Sequence, residues 1–202
     1  MYDAVQAGVA DYDREILRKL AEMEREDCRE QQAPKLKNAS KARAIKTRGE
    51  EPLRQALYRM SGVDVTAMDA IGAGTVQVAL SEYGPDLSRF PSEKQFVQQA
   101  TLAPHQPTSG GKALKKKKRN NGSTRVAAAL RMAATSLHHS ETALGAYFRR
   151  IARHKGKDIA VFATARKLAT LIYRLLRYMA TPTWMREQKP TRNDIVRIVS
   201  KA

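Results

Sequence analysis

Cysteine occurs once in these 202 residues, aromatic side chains make up only 6% of them, and acidic residues are outnumbered 20 to 37 by Lys and Arg. The lone Cys28 excludes an intrachain disulfide, and the four histidines join it at no zinc-ligand spacing, which excludes a structural metal centre. The shortage of aromatics, with none interleaved in the most basic stretch, argues against a stacking platform for RNA or single strands. No apolar run approaches the roughly 20 residues needed to span a bilayer, and the first residues lack a charged-then-apolar secretory pattern. The sequence therefore reads as a cytoplasmic chain without a membrane partner. What is abundant is positive charge: the formal net charge of +17 exceeds what solubility requires and steers polyanions to the surface, so nucleic acid is the leading partner.

The charge is unevenly placed, with nine acidic and five basic side chains in residues 1–30 against 32 basic and 11 acidic in the rest. Val5, Val9, Tyr12, Ile16, Leu20 and Met23 recur at steps of three and four, one stripe of a helix expected to run to Pro34. Such a stripe must be covered, either by another chain in a coiled coil or by this chain's own core, and a homo-oligomer formed through this helix is expected. Asp3, Asp11 and Asp13 fall on the same helix as its solvated face. Residues 34–52 contain "KLKNASKARAIKTRGEEP", basic and without apolar periodicity, and read as a linker.

Residues 53–181 read as an all-α domain. Thr66 is a candidate cap for a short helix that meets a second at Ile71-Gly72, the second ending at Gly84. This hairpin, residues 63–84, resembles a helix-hairpin-helix, which would bring the backbone of Ile71, Gly72, Ala73 and Gly74 close to a phosphate. Ser92 caps the next helix, with Phe96 and Val97 inward, before Pro104 and Pro107 forbid its continuation. A long loop follows, residues 101–122, with "PTSGGKALKKKKR" at positions 107–119: one serine, two glycines, then Lys112, Lys115, Lys116, Lys117, Lys118 and Arg119. An alanine-rich bundle over 123–181 completes the domain. Its first helix buries Val126, Leu130, Ala133 and Leu137; Ser140 caps a second bearing Leu144, Tyr147, Phe148 and Ile151. Beyond Gly156 a third carries Phe162, Ala165, Leu168, Ile172, Leu175 and Met179 inward. No alternating strand is evident in this half. The tail, 182–202, has Trp184 and a candidate short helix in "RNDIVRIVS".

The blocks "AIGAGTVQVALSEYG", "RFPSEKQFVQQATLAP", "TSGGK", "STRVAAALRMAA" and "YFRRIARHKGKDIAVFATARKLATLIYRLL" occur in that order. From Val63 to Met179 the succession resembles the C-terminal transposase domain of the bridge-RNA-guided insertion-sequence recombinases, relatives of the Piv invertases. The resemblance implies DNA transposition, with Ser109 as nucleophile toward a DNA phosphodiester, Arg125 heading an alanine-rich helix near DNA, and a structured guide RNA as a further partner. The sequence departs from the family pattern at Thr101 and Ala70, where glycines are common. It departs also at its front, where family members carry a RuvC-like domain with four acidic metal ligands. The expectation is a truncated or split member with no cofactor of its own, a divalent metal entering only with the RuvC-like domain. A non-catalytic DNA-binding module would use the same hairpin and basic surface without Ser109, and a basic RNA-binding protein would need only the charge.

Overall fold

The computed structural model describes residues 2–103, 108–109, 112–113 and 124–179, and over them the chain is all-α, as expected from the sequence. The helices are α1 (Tyr2–Glu22), α2 (Ala39–Thr47), α3 (Glu51–Ser61), α4 (Ala73–Tyr83), α5 (Glu93–Gln99), α6 (Arg125–Ser136), α7 (Ala143–Lys155) and α8 (Lys157–Met179). A two-residue antiparallel ladder, β1 (Thr108–Ser109) with β2 (Lys112–Ala113), lies within residues 101–122, which the sequence reads as a loop. The described residues fall into two compact units, one running to Leu87 and taking in α8 from Leu175, the other running from Ser88 to Arg174.

In the first unit α1 packs on α3, and α3 on α4. α1 ends at Glu22 instead of reaching Pro34, because the chain turns there: Arg25 N–H donates to Arg59 O of α3, the Arg25 side chain pairs with Asp27, and Glu26–Cys28 form a 3-10 turn. Cys28 is buried beside Gly62, and burial is the first cause that pushes its thiol up from the ordinary cysteine range. The anticipated stripe is only partly covered. Ile16 and Leu20 are half-buried, whereas Val5, Val9, Tyr12 and Met23 stay exposed, Tyr12 at 75%. The expected linker contains helix α2, since the Asn38 side chain accepts from Lys41 N–H at its first turn and Ile45 is buried. One buried cation organises this unit. Arg54 donates to Asp64 (2.6 Å), Thr66 (3.1 Å), Glu51 (2.8 Å) and the carbonyl of Pro34.

In the second unit Val126, Leu130 and Ala133 of α6 and Leu137, the first residue past it, are buried, the four positions the periodicity indicated. α5 buries Phe96 and Val97 from a Ser92 cap, as expected. Phe96 lies against Tyr173 of α8, whose hydroxyl donates to Phe90 O at 2.7 Å, and Arg174 pairs with Glu93 at 2.7 Å. The cap of α7 is Thr142, not Ser140: Thr142 Oγ1 accepts from Gly145 N–H, while Ser140 closes the preceding 3-10 turn Leu137–His139 and bonds to Thr142. Gly145 is obligatory there, since a Cβ would stand 2.1 Å from the Ser140 carbonyl oxygen. On α8, Ala165, Leu168 and Ile172 are buried and Leu175 is half-buried. Phe162 instead is 47% exposed, with the Arg131 guanidinium 5.3 Å from its ring. The buried face runs through Ala160, Thr164 and Leu171, which turns Phe162 outward. The side chain of Met179, Trp184 and the rest of the tail lie outside the described residues.

Two non-glycine residues have positive φ among the described residues, and they are Ala70 (63°) and Thr101 (56°), the two places where the resembling family commonly carries glycine. Thr101 closes α5. Its N–H donates to Gln98 O and the next N–H, of Leu102, to Val97 O, a Schellman motif with threonine in the left-handed position and buried Val97 and Leu102 flanking it. Ala70 holds the third position of a turn closed by Ile71 N–H to Met68 O, where type II geometry demands positive φ. A Cβ in the left-handed region costs about 1–2 kcal/mol, offset in part by the extra unfolded-state freedom of glycine. Thr101→Gly is therefore expected to raise the unfolding free energy by about 1 kcal/mol, and Ala70→Gly by less, the β-branched side chain being the more crowded. Urea titrations of the three proteins check this, and a lower midpoint for Thr101→Gly contradicts it.

Candidate functional site

The segment read as a helix-hairpin-helix has α3 in front, then the 3-10 turn Val65–Ala67, the Ala70 turn and α4. What precedes the hairpin turn is thus a single 3-10 turn in place of the expected helix. Its cap is Asp64, whose carboxylate accepts from Thr66 N–H, and Thr66 itself is buried inside the turn and donates its hydroxyl to Asp64. Of the four residues expected near phosphate, Ile71 and Ala73 have fully buried side chains and hold α4 to its unit. Gly72 is the N-cap of α4 with extended backbone and no side-chain cap, and Gly74 is exposed with nothing within 4 Å of an added Cβ. Together these leave the first-turn amides of α4 without a side-chain cap and without steric cover at Gly74. Sequence reasoning missed a neighbour of this turn: a Cβ on Gly72 would lie 3.8 Å from Glu50 Oε2, so a carboxylate stands close to the positive end of α4.

The serine loop is tied at its base. Thr124 accepts from Ala127 N–H as the cap of α6 and donates to Ala100 O at 3.4 Å, so the chain leaves α5 and enters α6 at adjoining points. Between them the ladder pairs Thr108 with Ala113 and Ser109 with Lys112, across the sequence pair Gly110-Gly111. Ser109 is thus a strand end in a defined register, opposite the first cation of the basic run. Lys115, Lys116, Lys117, Lys118 and Arg119 lie outside the described residues, as does His105. Arg125 is exposed at the first position of α6, directly after the Thr124 cap. No cluster of three or more His, Cys, Asp or Glu that could hold a metal ion occurs among the described residues, and Asp11 of α1 pairs with Arg14 on the exposed face. No described helix is long and apolar enough to cross a membrane.

These features define a class: a strongly basic, all-helical chain with a serine in a glycine-bordered loop that is tethered at both ends. Residues 64–149 match the family model of the transposase IS116/IS110/IS902 family, a stretch covering less than half of the chain and holding the α4 turn, the serine loop and α6. The match agrees with a C-terminal transposase domain of this family and connects the segment with DNA transposition and a DNA partner. No curated protein and no solved structure matches the chain.

Proposed function

We propose that the chain acts in DNA transposition as a DNA-binding transposase segment whose Ser109 attacks a DNA phosphodiester. The observation that carries this reading is the family match over residues 64–149, which encloses Ser109, the basic run and the uncapped start of α4. In the reaction Ser109 Oγ bonds to phosphorus, one bridging P–O bond breaks, the serine proton passes to a base and the departing strand oxygen takes up a proton. The phosphoseryl ester keeps the phosphodiester's energy, so a strand hydroxyl can reverse the attack and join a new end. A serine hydroxyl is a weak nucleophile until a base or a metal activates it. In the resembling family a RuvC-like domain with a divalent metal cooperates with the serine. The residues of this chain have three tasks. The backbone amides of Gly72 to Gly74 and Arg125 bind phosphate, Lys112 and the lysines after it neutralise the charge that develops on the attacked phosphate, and the exposed Val5, Val9 and Tyr12 of α1 pair with a second copy.

The test mixes the full chain with a RuvC-like domain of the family, divalent metal, guide RNA and target duplex, then seeks protein-linked DNA on denaturing gels. An adduct mapping to Ser109 is expected with the native chain. Ser109→Ala should bind duplex as before and form none. Light scattering of the same native sample should give at least the mass of a dimer, falling when Val9 and Tyr12 are both changed to aspartate. Adducts that persist in Ser109→Ala, or an inert native mixture, would leave a non-catalytic helix-hairpin-helix binding module as the better reading.

A further inference from the structure

A groove in the second unit lies outside everything so far assigned to DNA. α7 presents Tyr147, Arg150, Ile151, His154 and Lys155 at helical spacing along one side of it, and α8 closes the other side with Ile159 and Ala163. The corner between the helices is Gly156, at φ 89° and ψ 161°, a conformation that only glycine adopts readily. The groove is open to solvent, with a volume of about 500 Å³. Most of it lies past the end of the family match at Arg149.

Its chemistry is mixed in a telling way. The floor is apolar, with Ile159 still 52% exposed and Tyr147 and Ile151 half-buried, so no described residue covers it. The rim is cationic: α7 has no acidic residue, its last turn holds Arg153, His154 and Lys155, and no described carboxylate forms an ion pair with Arg150, Arg153 or Lys155. Cations at a helix C-terminus also complement its dipole, which accounts for the charges but not for the exposed apolar floor beneath them. The Arg150 guanidinium lies over one face of the Tyr147 ring, 5.6 Å from its centroid, so the two planar groups form a stacked pair at the groove. An acidic apolar helix, α1 of a second copy included, would satisfy the rim and the floor but would offer no flat group to the stacked Arg150–Tyr147 pair, and the α7–α8 face of a second copy would set like charges against one another. An unpaired nucleotide satisfies both parts, its base on Tyr147 and the isoleucines, its flanking phosphates on Arg150, His154 and Lys155.

We propose that the α7–α8 groove binds a single strand of nucleic acid by stacking an unpaired base on Tyr147. This rests on the reading of the chain as a nucleic-acid-binding transposase segment and extends it from duplex to unpaired strand, contrary to the expectation drawn from the low aromatic content, because one ring paired with a guanidinium supplies a stacking place for one base. Anisotropy titrations would use the full chain with labelled oligothymidine, oligouridine and a blunt duplex of the same length, the first two telling an unpaired DNA strand from an RNA one. Tyr147→Ala is expected to weaken single-strand binding about tenfold while duplex binding holds, and Tyr147→Phe, which keeps the ring, to bind like the native chain. Arg150→Gln should lower the salt slope for the single strand by just under one unit, about 0.7. Melting followed by circular dichroism confirms that each variant folds. If Tyr147→Ala changes neither single-strand form, or if Tyr147→Phe is as weak as Tyr147→Ala, the proposal is wrong, while duplex binding unaltered in both keeps the transposase reading intact. Were Ile159→Ser to lower the mass in light scattering with oligonucleotide binding unchanged, the groove would belong to a second copy and the proposal would fall. Absence of binding to any nucleic acid would overturn both readings.

Discussion

Replacing Arg54 with alanine is expected to destabilise the first unit by about 3–5 kcal/mol, the usual cost of leaving one member of a buried ion pair without its partner. The Arg54 and Asp64 side chains are 5% and 6% exposed, so water cannot take over the bonds that are removed. The same guanidinium holds Thr66 and the carbonyl of Pro34, and thereby joins three segments distant in sequence: the chain before α2, the helix α3 and the 3-10 turn leading to α4. Removing it orphans Asp64, which caps that turn, so the backbone ahead of Gly72 should loosen with the core. Guanidinium titration of the native chain and Arg54→Ala reads the loss directly. Arg54→Met with Asp64→Asn, which removes both charges and keeps an amide oxygen to accept from Thr66 N–H, should recover part of it, since the cost of an unpaired buried charge is gone. A single variant within about 1 kcal/mol of the native chain would mean that water reaches the pair and screens it.

Changing Lys115, Lys116, Lys117 and Lys118 together to glutamine should flatten the dependence of log affinity for duplex DNA on log salt by up to about 3.6 units, at roughly 0.9 for each phosphate that is no longer neutralised. The bond from Thr124 to Ala100 O holds the chain on either side of this segment at adjoining points of the second unit. Under the proposed function, lysines that follow Ser109 so closely in sequence would present the phosphate they bind to its hydroxyl. Filter binding at several salt concentrations measures the slope. An unchanged slope would show that the lysines meet no phosphate, and the charge responsible would have to be sought on α6 to α8.

Much of the local architecture was legible in the residues. Ser92 as the cap of α5, Gly84 and Gly156 as helix ends, and the inward face of α6 are one-turn effects, fixed by side chains within four residues of one another. The connection with DNA transposition was legible through the order of blocks, most of which lie within the family match over residues 64–149. The two departures from the family pattern, at Ala70 and Thr101, were visible as letters. That each carries a left-handed backbone emerged only from the turn and the Schellman motif closed around it.

Periodicity and charge are properties of neighbours along the chain, which is why the all-helical class, the basic character, the Ser92 cap and the resemblance could be read from the residues before any fold was known, whereas the caps read at Thr66 and Ser140 fall to Asp64 and Thr142. Which apolar stripe is covered could not. Phe162 fits the α8 period yet faces outward beside Arg131, and Tyr147 fits the α7 period yet lines an open groove. The face that α8 buries is set by partners such as Phe90 and Glu93, more than 80 residues earlier in the chain. Arg54 looked like one more cation among 37, and only the fold surrounds it with Asp64, Thr66 and Pro34. Burial depends on what the rest of the chain brings to a surface, and no spacing within a helix records that.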